Sequence, residues 1–137
     1  MENNQTINNL QRFVVAQEGG NRWKDPSYEQ ALSEVRNGSK ITCWIWYIFP
    51  QMTRRIHSER SLYYRIKDRE EAKAYIEHPV LGPRLAEISQ AYLDTGKEAY
   101  LVFGNDAEKV HNCMLLFASL SDKPVFKEVC RRNHWIL

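Results

Sequence analysis

The sequence predicts an all-α fold, a compact single-domain bundle of about six helices. Three observations lead there. Apolar residues recur at three- and four-residue spacing through most of the chain, capping residues flank those stretches, and there is neither a convincing hairpin nor an internal repeat. At 137 residues the chain has the size of one domain, read as spanning residues 1–137 with a flexible N-terminus over residues 1–5. Hydrophobic residues at 43% and charged residues at 26% are ordinary globular usage, which excludes disordered and fibrous classes.

Taken in order, Ile7, Leu10, Phe13 and Val14 mark one face of a first helix ending near Gly19 and Gly20. Asp25-Pro26 reads as an N-cap with proline at the first helical position; Tyr28, Leu32 and Val35 keep helical spacing and Gly38 follows as the stop. Residues 41–49 are ambiguous: β-branched and aromatic residues favour a strand, yet a run apolar on all sides also suits a buried helix, and Pro50 ends either. Asp68 with Glu71 three residues later has capping-box spacing and opens a helix to about Glu77.

After His78-Pro79, the stripe Leu81, Leu85, Ile88 and Tyr92 predicts the longest helix, stopping at Thr95-Gly96. Residues 100–103 read as a strand or the end of a buried turn. Asn105 or Asp106 caps the next helix, whose face is Val110, Cys113, Met114, Phe117 and Leu120, and Asp122 with Pro124 opens a last one carrying Phe126, Val129 and Cys130.

The formal charge of +2 makes no case for a dedicated nucleic-acid binder. Three widely spaced cysteines, Cys43, Cys113 and Cys130, each among apolar neighbours, read as reduced core thiols of a cytoplasmic protein. The polar, Asn-rich start lacks a signal-peptide pattern, and the longest apolar run, residues 44–50, is far below the roughly 20 residues of a membrane span. His57, His78, His111 and His134 lack metal-site spacing, so no metal or cofactor is expected; GxGxxG, P-loop and GxSxG patterns are absent.

Three separated motifs in order, CWIWYIFPQ (43–51), HPVLGPRL (78–85) and FGNDAEKVHNCMLLFA (103–118), carry a resemblance to the family of domain of unknown function 1810. The likeness runs from about Phe13 to Phe126. It implies an all-helical bacterial protein; some relatives carry a calpastatin label. This chain departs from the family's usual pattern in having Cys43 where relatives have His, residues 53–57 where they have a Gly-Leu-Gly turn, and Asn112-Cys113-Met114-Leu115-Leu116-Phe117 where they have Ser-Ser-Met-Thr-Leu-Phe.

Two functional readings follow. In the first, Trp44, Trp46, Gln51, Arg84, Asp106 and Lys109 form a pocket for a small anionic or nucleotide-like ligand, since indole rings stack on planar groups and amides and cations hold polar ones. Residues 92–96, Tyr92-Leu93-Asp94-Thr95-Gly96, resemble a stretch in helical proteins that process ADP-ribose adducts. A hydrolase of that kind would use Asp106 as general base and Lys109 against phosphate, with His111 a second acid/base candidate. In the second, residues 54–69, with six basic residues against two acidic and a local balance of +4, form a protein- or RNA-docking face. The plainer roles are core packing for the rings, a solvated face for the basic run, and helix capping for Asn105 and Asp106.

Overall fold

The computed structural model describes residues 4–20, 23–53, 55 and 58–136. The expectations placed on residues 1–3, Arg54 and His57, and on the side chain of Ile7, lie outside the described residues. Among the described residues every regular element is helical. Six helices of nine or more residues carry the architecture: α1 (Asn4–Gln17), α2 (Tyr28–Arg36), α5 (Arg69–Glu77), α6 (Leu81–Asp94), α8 (Ala107–Ala118) and α9 (Pro124–Arg132). Between them lie the short helices α3 (Ile45–Ile48), α4 (Glu59–Tyr63) and α7 (Ala99–Phe103), and a 3-10 turn over Gly104–Asp106. Asn4 and Gln5, assigned above to the flexible N-terminus, already belong to α1.

Neither ambiguous apolar segment forms a strand: of residues 41–49 only 45–48 are helical, and residues 100–103 lie within a helix. Residues 45–48 and 99–103 are helices of little more than one turn, too short for periodicity to register; they are held by burial of Ile45, Tyr47 and Ile48 in the first and of Ala99, Val102 and Phe103 in the second, where Tyr100 and Leu101 stay exposed. The N-cap of α2 is Ser27 rather than Asp25: its hydroxyl accepts the Gln30 N–H at 3.2 Å, which moves the start past the proline. Asp68 caps α5 through the Glu71 N–H at 2.8 Å. Glu71 itself reaches back to the N–H of Lys67 rather than that of Asp68.

One core runs through the bundle. Helix α6 packs against α2, α5 and α9, and α8 against α9 and α5, burying Leu81, Leu85, Ile88, Val110, Met114, Phe117, Phe126 and Val129. The junction of α5 and α6 is close enough to dictate a residue: a Cβ on Gly82 would stand 2.2 Å from the carbonyl oxygen of Ile76. His78 Nδ1 accepts the N–H groups of Val80 and Leu81 at 3.1 and 3.2 Å, closing the start of α6 ahead of Pro83 in its first turn.

Polar staples fix α1. The Arg12 guanidinium forks onto Glu71 at 3.1 and 3.2 Å and donates to the carbonyls of Tyr63 and Arg65, tying α1 to α4 and α5. Glu71 is 1% exposed, so the pair is bidentate and nearly dry. Cys113 and Cys130 are buried as expected. Cys43 is not: it is exposed, because the turn before α3 points it outward while Trp44 and Ile45 turn in. Among the described residues no helix is long and apolar enough to cross a membrane.

Candidate functional site

The segment preceding α3 is shaped by a carboxylate ten residues earlier. Glu34, buried on α2, accepts the N–H groups of Ile41 and Thr42 at 2.7 and 2.9 Å, the Thr42 hydroxyl at 2.6 Å and the Trp44 indole N–H at 3.0 Å. Gln30 adds a fifth donor at 2.9 Å. Burial pushes this carboxyl upward, but the Thr42 hydroxyl, the Gln30 amide and the two backbone donors outweigh it and hold the group down at about 2. Lys40, at the head of the same segment, donates its backbone N–H to the carbonyl of Val102 at 2.7 Å, anchoring the segment to α7.

That frame makes one wall of a cavity of about 180 Å³. Trp46 lines it from α3, Lys40, Cys43 and Trp44 from the segment before, Asp106 and Lys109 from the start of α8, and Asp25 with Arg60 from the opposite side. Both oxygens of Asp106 are engaged: Lys109 Nζ lies 2.8 Å from Oδ1 and Lys40 Nζ 2.8 Å from Oδ2. Asp106 occupies the N-cap position of α8 but makes no side-chain cap bond there. Burial raises its carboxyl, and the hydrogen bonds from Lys109 and Lys40 more than reverse that, leaving it below the usual carboxylate range.

The ammonium groups also lie over the indoles, Lys109 at 5.1 Å from the Trp46 ring and Lys40 at 5.0 Å from that of Trp44. Opposite, Asp25 and Arg60 pair at 2.8 Å (Oδ2 to Nε), with a second bond of 3.1 Å from Nη2 to Oδ1.

Four of the six residues expected in one pocket therefore come together: Trp44, Trp46, Asp106 and Lys109. Two do not line this cavity. Arg84, on α6, donates to Gln17 Oε1 at 3.3 Å and lies 5.3 Å from the Tyr28 ring. Gln51 is buried beside α8, accepting from Asn112 Nδ2 at 3.1 Å. Trp44 is 1% exposed with its indole N–H already bonded, so Trp46, half-buried, is the ring with surface to offer. His111 stacks on Trp135, centroids 4.5 Å apart and planes at 10°; burial lowers its imidazole below the ordinary value, with Glu108 pulling the other way.

The described members of the basic run have different surroundings. Arg60 is turned onto Asp25, Asp68 caps α5, and Arg69 contacts the Ser119 hydroxyl at 3.4 Å, while Arg55 and Lys67 are exposed. Residues 92–96 form the end of α6, where the Thr95 hydroxyl donates to the Tyr92 carbonyl at 2.7 Å and Gly96 takes φ +71°. Lys40, Glu34, Asp25 and Arg60 were not selected from sequence. Nothing local marks Glu34 or Lys40, whose partners lie 8 to 66 residues away in the chain apart from Gln30 and Ile41 for Glu34 and the Trp44 ring for Lys40.

A model of the family described as "Protein of unknown function (DUF1810)" matches residues 7–135. The chain belongs to the DUF1810 family. The structure of this DUF1810 chain is similar to the crystal structure of the conserved hypothetical protein Rv1873 from Mycobacterium tuberculosis, with a TM-score of 0.82 and 33% identity, covering 92% of this chain and 87% of that one. No curated protein matches the sequence. The DUF1810 relationship thus accounts for the helical architecture, and the cavity at α3 and α8 has to be read from its own chemistry.

Proposed function

We propose that the cavity binds a small planar monoanion. The observation that carries this reading is the two-to-one arrangement at Asp106: two ammonium groups, 11% and 23% exposed, converge on a single carboxylate. With Asp25 matched by Arg60, the described charges of the cavity are three cations against two carboxylates, an excess of +1. A partly desolvated excess charge is costly alone and favours an anion beside it. Trp46 supplies the flat surface on which a ring would lie.

Volume limits the ligand. A cavity of about 150 Å³ is filled by a benzene ring, and drug-sized ligands occupy roughly 300–1,000 Å³. At about 180 Å³ the site suits one ring with one acidic group. Of an ADP-ribose-type molecule it would enclose a terminal group only. Hydrolysis of such adducts, which would call on Asp106 as general base, draws no support from a carboxylate with both oxygens engaged and its proton affinity reduced. The docking-face reading draws none from a basic run divided among separate partners.

The test is a titration of single-ring carboxylates and simple phosphates, followed by indole fluorescence and by melting temperature. Saturable binding of a ring carboxylate that raises the melting temperature, weakens with salt, and is lost in Lys109→Met and Trp46→Ala supports the reading. Binding unaffected by both substitutions, or none up to millimolar ligand, overturns it.

A further inference from the structure

Asp106 stands where an acidic residue would cap α8, yet its side chain makes no cap bond and is committed to the cavity, one oxygen on Lys109 and the other on Lys40, each at 2.8 Å. Neither lysine owes its place to that carboxylate alone. Lys109 sits in the first turn of α8 and lies over the Trp46 ring, while Lys40 is anchored through its backbone N–H to the Val102 carbonyl and lies over the Trp44 ring. Asp106 is a counter-charge between two cations rather than part of the helix start.

The described charges lining the cavity are Lys40, Lys109 and Arg60 against Asp106 and Asp25. The Asp106 carboxyl lies below the usual carboxylate range, so it carries its charge and the balance is +1. Without that charge the balance would be +2. Attraction to the site grows in proportion to a ligand's charge, whereas the cost of taking the ligand out of water grows as the square of its charge. A second negative charge on the ligand therefore costs more than the first and gains little at +1, where it also meets the Asp106 oxygens. At +2 the attraction it gains is doubled.

Resting on the monoanion reading above, we infer that Asp106 is the charge-selecting residue of the site. It cancels one of the two ammonium charges and repels a doubly charged acid, so the cavity takes single-ring carboxylates and sulfate esters and turns away phosphate esters in their dianionic form. Specificity here comes from a repulsive element as well as an attractive one. Loss of the Asp106 charge converts the cavity into a phosphate-ester site.

Phenyl sulfate and phenyl phosphate test this, because they share a shape and differ in charge once the phosphate has lost its second proton, at a pKa of about 6. Followed by indole fluorescence, the parent should bind the sulfate about tenfold more tightly at about pH 7.5, and both alike at about pH 5, where each is a monoanion. The sulfate keeps its charge throughout and so registers any titration of the cavity itself, Cys43 included. Asp106→Asn should move the ratio of affinities about tenfold toward the phosphate, the weak end of what one charge within about 4 Å gives; Asp106→Glu should keep the parent's order. The pair of pH values uses the parent alone and decides the matter where Asp106→Asn fails to fold. Equal binding or a phosphate preference in the parent at the higher pH, or an unmoved ratio in folded Asp106→Asn, overturns the inference. Lys109-dependent binding of both compounds whatever their charge rejects only the role of Asp106; absence of Lys109-dependent binding of any single-ring acid rejects the monoanion reading and this inference with it.

Discussion

Glu34 accepts the indole N–H of Trp44 at 3.0 Å, and the same oxygen accepts two backbone N–H groups from residues 41 and 42. A carboxylate on α2 thus fixes both the core tryptophan and the segment that carries Lys40 and Cys43 into the cavity. Glu34→Gln replaces a charged acceptor with an amide that must turn one N–H₂ toward existing donors. It should cost about 1.5–3 kcal/mol in urea unfolding and shift the Trp44 contribution to fluorescence.

The same group sets an acid limit. Its pKa is lowered from 4.5 to about 2 in the folded chain, so the stability it contributes is complete above its unfolded value and is lost as pH falls toward the folded one. That contribution is on the order of 3 kcal/mol. Unfolding free energy measured from pH 6 to pH 2.5 should fall more steeply in the parent than in Glu34→Gln, and the two curves should converge at low pH. Parallel curves would refute the assignment.

At Asp106 the order of effects is the prediction. Asp106→Asn leaves two ammonium groups facing each other without a counter-charge, whereas Lys109→Met leaves the Lys40 pair one-to-one. Asp106→Asn should destabilise by about 1–2 kcal/mol and Lys109→Met by less than half of that. Raising salt should narrow the difference, which thermal melts at low and high ionic strength would show.

Gly82→Ala should be the most damaging one-carbon addition in the chain's glycine positions. The new methyl meets the Ile76 carbonyl, which is backbone and cannot rotate away, so α5 and α6 must separate. A loss of about 1–3 kcal/mol is expected, seen as a lower denaturation midpoint with an unchanged slope.

Thiol labelling should separate the cysteines into one fast and two slow groups. Cys43 is exposed, while Cys113 and Cys130 are buried and burial raises both thiols, so less thiolate is present at either. One equivalent of reagent should react with the native protein, and two more only on unfolding.

How much of this was legible beforehand depended on the range of the interactions. The start of α5 is written locally, Asp68 to the Glu71 N–H, and the apolar stripes of α6 and α8 repeat over several turns; both were readable. Helices α3 and α7 span little more than one period of the pattern that would reveal them, so it never repeats. Asp106 misled because an acidic residue before an apolar helix ordinarily caps it, whereas its side chain is engaged by Lys109 and by Lys40, sixty-six positions away. Trp46 and Lys109 were found through residue type. Glu34 was not, since in its own helix it is one more polar position.

Residue 43 has an unusual freedom. The hydrogen bonds that hold its loop run through Glu34 and Val102 to residues 40, 41, 42 and 44, and none uses the side chain at 43, although that side chain lines the cavity. Scaffold and chemistry are thereby uncoupled at one point. The resemblance implied histidine there, and a thiol in its place changes the lining of the cavity while the framework around it stays put.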